Sequence, residues 1–104
     1  MSTPGHRARP APDAEIMHQW ADAREEARTR TTAIMASVTT DIEWVRELAQ
    51  HPSLYVRRAA ASNPQCPVEV LIRLLVDPDP QVRESTMGNR NLPEEYRLLR
   101  PVRD

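Results

Sequence analysis

The chain repeats itself every 26 residues, and that period limits what it can fold into. His51-Pro52 returns as Asp77-Pro78, Ser53 as Asp79, and Val56-Arg57 as Val82-Arg83. Asn63 returns as Asn89, and Pro67-Val68-Glu69 as Pro93-Glu94-Glu95. One period earlier, Asp41-Ile42-Glu43 keeps the same phase. A fixed period of roughly 20–50 residues marks a stacked solenoid, in which each unit buries its apolar face against its neighbours.

Each period reads as two helices. Thr40-Asp41-Ile42-Glu43 has the form of a capping box, and the helix it opens carries Trp44, Val45, Leu48 and Ala49 up to His51-Pro52. A shorter helix follows Ser53, with Leu54, Val56, Ala59 and Ala60, and ends at Asn63-Pro64. The second copy starts with Pro67 at the first helical position, where a missing N–H does no harm. Val70, Leu71, Leu74 and Leu75 supply its core face. Asp79 then caps a short helix containing Val82 and Met87, closed by Gly88-Asn89, a pair suited to a left-handed helix end. The third copy opens at Pro93, carries Tyr96, Leu98 and Leu99, and is broken by Pro101.

Ahead of the repeats, residues 1–12 lack apolar periodicity and read as a disordered tail. Ile16, Trp20, Ala23, Ala27, Ile34 and Val38 then fall three or four apart, which predicts an amphipathic helix over 13–38 that caps the stack. Thr29-Arg30-Thr31-Thr32 is its weak point, where a bend or split is expected, because threonine is a poor helix former. The expected organisation is a tail at 1–12, a capping helix at 13–38, about two and a half repeats at 39–100, and a tail at 101–104. The fold class is all-α.

The stretch from His51 to Leu99 resembles the leucine-rich repeat variant family, a HEAT-like bacterial solenoid. Leu48, Pro52, Val56, Arg57, Asn63, Pro64, Pro67, Leu71 and Leu74 match its motif in one register. Pro78, Val82, Arg83, Asn89 and Pro93 match in the next. The resemblance covers roughly residues 41–100. It implies a short α-solenoid of HEAT-like, leucine-rich-repeat-variant units behind a long leading helix. Gly88-Asn89-Arg90 departs from the pattern, as do Ser85-Thr86, which stand where alanines pack.

Composition narrows the function. The net charge is −1, with 14 basic and 15 acidic residues, so no bulk attraction to nucleic acid or anionic membrane exists. Cys66 is the only cysteine, which excludes an intramolecular disulfide and a cysteine-held metal cluster. No apolar run approaches the length of a membrane span, and no hydrophobic segment follows the start, so a cytoplasmic, bacterial-type protein is expected. His18 and Asp22, four apart, lack a third ligand and read as a solvated helix face. His51 reads as a turn residue near a helix end, where a cation is favoured.

No set of residues forms a catalytic, cofactor or metal site, and a non-enzymatic module that binds another protein is the expected function, as scaffold or adaptor. Arg57 and Arg83 recur with the motif, which marks them as structural. Arg46, Tyr55, Arg58 and Arg73 do not recur and are the candidate partner-binding residues. The alternative is a nucleic-acid-binding module with an arginine-bearing face, and self-association through Leu98 and Leu99 is a further expectation.

Overall fold

A computed structural model describes residues 14–98, so the readings made on the 1–12 tail, Leu99, Pro101 and the 101–104 tail lie outside the described residues. The described chain is all-helical: α1 (Ala14–Val38), α2 (Ile42–Leu48), α3 (Leu54–Ser62), α4 (Val68–Leu74), α5 (Pro80–Met87) and α6 (Glu94–Arg97). It forms a short helical solenoid. Helix α3 packs between α1 and α5, while α2 and α4 lie against α3 and α5.

Local chemistry sets most helix boundaries. Ser53 and Asp79 sit in extended backbone and accept from the amides of Tyr55 and Gln81, satisfying first-turn donors. At α2 the cap is Asp41 rather than Thr40. Its carboxylate accepts from the Trp44 amide, while Thr39 Oγ1 receives the Asp41 N–H. The acid takes the cap because it suits the positive end of a helix. Pro67 and Pro93 stand one place before the first helical residue, and Pro80 occupies the first turn of α5. Gly88 is right-handed, with φ −82 and ψ −9, so the left-handed helix end expected there does not form.

Buried asparagines join successive units. Asn63 Nδ2 donates to the carbonyls of Ala36 (2.8 Å) and Thr39 (2.9 Å), and its Oδ1 accepts from the Gln65 amide at 2.7 Å. One period on, Asn89 Nδ2 donates to Ala61 (2.8 Å) and Asn63 (2.9 Å), and its Oδ1 accepts from Asn91 at 2.9 Å. Each amide thus closes its own turn and caps the end of the helix before it. The carbonyls at helix ends lack intrahelical partners, and buried ones must find another.

This pattern assigns α1 its place. The end of α1 meets Asn63 as the end of α3 meets Asn89, so its C-terminal half occupies the station of α3 one unit earlier. The contact face there is made of small residues: Ala36 is fully buried, and Thr29, Thr32, Ala33 and Ser37 are half-buried. The larger apolar residues Trp20, Ile34 and Val38 are 54%, 59% and 63% exposed. The amphipathic face expected to cap the stack therefore points away from it. Small side chains win the contact because they let α1 approach α3 closely. The threonine stretch does not break the helix either: Thr31 Oγ1 donates to the Ala27 carbonyl at 3.0 Å, and α1 runs through.

The core is aliphatic, built from Val45, Leu48, Val56, Ala60, Val70, Leu71, Leu74, Val82 and Leu92. Cys66 belongs to it. Its amide donates to the Asn63 carbonyl as that of Leu92 donates to Asn89, and both side chains are buried. Burial, with the nearby Glu69 charge adding to it, pushes the Cys66 thiol up to about 12.

Replacing Asn63 by Ala removes three hydrogen bonds and strands buried groups. It is expected to cost about 2–3 kcal/mol, read as a fall in Tm of about 10–20 °C. Asn63→Asp costs more, since a carboxylate oxygen then faces two carbonyls. Gly88→Ala is expected to be neutral or stabilising by about 0.5 kcal/mol, because an added Cβ meets its nearest neighbours at 3.6 and 3.7 Å. A thiol reagent at pH 8 is expected to label Cys66 only as fast as the protein unfolds. The unfolded thiol ionises near its ordinary 9.0 and the folded one near 12. The stability linked to this thiol is therefore intact below pH 9 and falls as pH rises toward 12, a slope that Cys66→Ala is expected to remove in denaturation series.

Candidate functional site

Because α1 continues past the station it shares with α3, its inner face and α3 form the two walls of an open cleft of about 940 Å³. Asp22, Glu25 and Glu26 stand on the α1 wall, Ala33 and Ala59 lie deeper, and Tyr55 and Arg58 line the α3 wall. Tyr55 is 54% exposed. The Arg58 guanidinium lies 5.7 Å from the centre of its ring and donates through Nη1 to Gln81 Oε1 of α5 at 2.7 Å. The tyrosine and arginine are thus held as one cation–π pair.

The four residues singled out from the sequence fall in two places. Tyr55 and Arg58 share the cleft. Arg46 and Arg73 instead line a shallow depression of about 100 Å³ between α2 and α4, with Gln50 and Val70. Arg46 bonds Glu43 in its own helix and Glu69 of α4, at 3.0 Å through Nε and 2.6 Å through Nη2. Those hydrogen bonds raise the arginine and hold the Glu69 carboxyl below its usual range. All three groups are solvent-exposed, so the contact orients α2 against α4 more than it stabilises them.

The recurring arginines act within the fold. Arg57 forms a two-point pair with Asp77 (Nε to Oδ2 3.0 Å, Nη2 to Oδ1 3.3 Å) and donates through Nη1 to the His51 and Pro52 carbonyls at 3.0 and 2.9 Å. Arg83 Nη1 donates to the Asp77 carbonyl at 2.6 Å. In both units the arginine therefore ties down the turn six residues before it. Asp77 Oδ1 accepts from the Asp79 amide at 2.9 Å, and His51 Nδ1 accepts from Ser53 at 3.0 Å. His51 stands in for the aspartate as an acceptor, not as the helix-end cation expected.

Among the described residues, no three His, Cys, Asp or Glu side chains gather to hold a metal ion, His18 and Asp22 included. No helix among them is long and apolar enough to cross a membrane. Thr86 is fully buried and its hydroxyl donates to the Val82 carbonyl at 2.8 Å, which makes it a packing residue.

Sequence reasoning singled out Tyr55 and Arg58, which line this cleft, but not the wall opposite them. The available signal was length. Units of this period leave their second helix about eight or nine residues, and the apolar pattern of α1 runs much further. Residues 56–79 match the family model described as leucine rich repeat variant, while no curated protein and no solved structure gives a significant match. Residues 56–79 are thus similar to a leucine rich repeat variant, a HEAT-like helical repeat.

Proposed function

We propose that the protein is a non-enzymatic interaction module that binds another protein in the cleft between α1 and α3. The observation that carries this reading is the Tyr55–Arg58 pair, exposed on the wall of an open cleft and already held in place by Gln81. Tyrosine and arginine dominate binding energy at interfaces, and a side chain already ordered loses less entropy when a partner docks. The opposite wall offers three carboxylates, so the partner segment that fits is apolar with basic side chains. Repeat architecture of this kind lends itself to such a role, since stacked helices present extended surfaces.

Charge supports a protein partner over nucleic acid. Affinity for phosphates comes from unpaired cations. Here Arg46 and Arg57 are engaged with carboxylates and Arg83 with a carbonyl, while Arg24, Arg28 and Arg30 of α1, which form no ion pair among the described residues, share their helix with Asp22, Glu25 and Glu26. A cytoplasmic scaffold or adaptor is the setting that suits such a module.

Affinity capture from native lysate, with and without nuclease, checks this. The wild type is expected to retain a protein that survives nuclease. Tyr55→Ala with Arg58→Ala is expected to weaken that capture by about 2–4 kcal/mol with helicity unchanged. Retention that needs nucleic acid, or equal capture by the double variant, contradicts the reading.

A further inference from the structure

The face of α1 turned away from α3 exposes large apolar side chains, and its residues are laid out symmetrically. Ile16, Trp20, Ala23, Ala27, Thr31, Ile34 and Val38 follow one another at spacings of 4, 3, 4, 4, 3 and 4, which read the same from either end. Size follows the same plan. Large side chains stand at both ends, and the middle three are small. Met17 and Met35 add apolar surface beside the ends, 56% and 41% exposed.

The helix itself calls for a partner. Residues 14–28 are exposed throughout. An isolated helix of that length is marginal in water, and Asp22 beside Glu26 and Arg24 beside Arg28 weaken this one further. Charged side chains of α1 form no ion pair among the described residues.

We infer that two copies of this chain associate through α1, packed antiparallel about a two-fold axis at Ala27. A two-fold contact pairs residue i with j and j with i. In this register Trp20 meets Ile34 of the second copy, Ala23 meets Thr31, and Ala27 meets itself. Large ends then fill against large ends while the small middle lets the backbones draw close. The repeats attach to the face of α1 that carries Ala33 and Ala36, and the contact meets the cleft only at its edge, where Arg30 and Ile34 also line it. From Ile16 to Val38 the stripe runs about 33 Å at about 1.5 Å per residue. A contact of that length covers on the order of 1,200 Å² in total, the lower edge of interfaces that hold a specific dimer.

Charge fits on one flank and not on the other. Glu26 comes beside Arg30 of the second copy, and Arg30 beside its Glu26, giving two attractive pairs. On the other flank Arg24 and Arg28 meet Arg28 and Arg24. The dimer is therefore weak, reversible and strengthened by salt or by removing that repulsion. This is a different surface from Leu98, which is exposed at the far end of the repeats.

Cysteine pairing tests the register, because buried Cys66 stays out of reaction. Ala23→Cys and Thr31→Cys, each alone, are expected to remain uncoupled on mild oxidation, since equivalent positions lie about 12 Å apart along the axis, beyond disulfide reach of about 7 Å. Mixed together, they are expected to give the disulfide heterodimer. In sedimentation from micromolar to submillimolar concentration the wild type is expected to pass from monomer to dimer. Arg28→Glu is expected to tighten association by about threefold to tenfold, and Trp20→Glu to abolish it with helicity retained. A monomer at every concentration overturns the proposal. So does self-coupling of each cysteine variant, which marks a parallel pair, or a looser dimer with Arg28→Glu.

Discussion

The structure depends on the buried side-chain amides of Asn63 and Asn89. Each reaches across the boundary between units and satisfies two carbonyls that the end of the preceding helix leaves open. A helix end buried without such partners is costly. Apolar burial draws the helices together but tolerates sliding; the amide fixes how far along they meet. Only a carboxamide side chain can donate twice to carbonyls and also accept from an amide, and asparagine is the shorter of the two that carry one.

Fixing α1 in this way decides what remains available for function. Its end is held in the station of a second repeat helix, and only a stripe of small residues touches α3. Everything before that stripe stands clear of the repeats. The same geometry opens the cleft on the inner side, where Tyr55 and Arg58 are presented, and leaves the apolar stripe bare on the outer side. The two surfaces belong to one helix and adjoin along Glu26, Arg30 and Ile34, which line the cleft and also border or form the stripe, so occupation of one bears on the other. Other arginines are used differently: Arg46 on α2 and Arg57 on α3 are tied into the fold by carboxylates.

Much of the repeat was legible because its phase compares unlike residues at one position. Arg57 recurring as Arg83 marks both as structural, and His51 in place of Asp77 marks a turn residue; that the arginines hold a carbonyl and that His51 accepts an amide emerged only from the hydrogen bonds. The equivalence of Cys66 and Leu92, both buried in the core, emerged only from the structure. The reading failed where the period does not reach. Apolar spacing in α1 shows which face is hydrophobic but not which face meets the repeats, and close packing favoured alanine and threonine over tryptophan and isoleucine. Gly88 misled for a related reason: glycine permits a left-handed end without requiring one, and the Gly88 amide bonds Glu84 in ordinary helical geometry. Tyr55 and Arg58 were found by their failure to recur, while the cleft they line was invisible because it needs the excess length of α1.

Amide hydrogen exchange along α1, at a dilution where the protein is monomeric, tests the central claim most directly. The account predicts fast exchange over residues 14–28 and protection over 32–38. It also predicts that Asn63→Ala strips the protection from 32–38 while α4 and α5 keep theirs. Uniform protection along α1, or protection of 32–38 that survives Asn63→Ala, contradicts the claim that one buried amide sets this helix in its place.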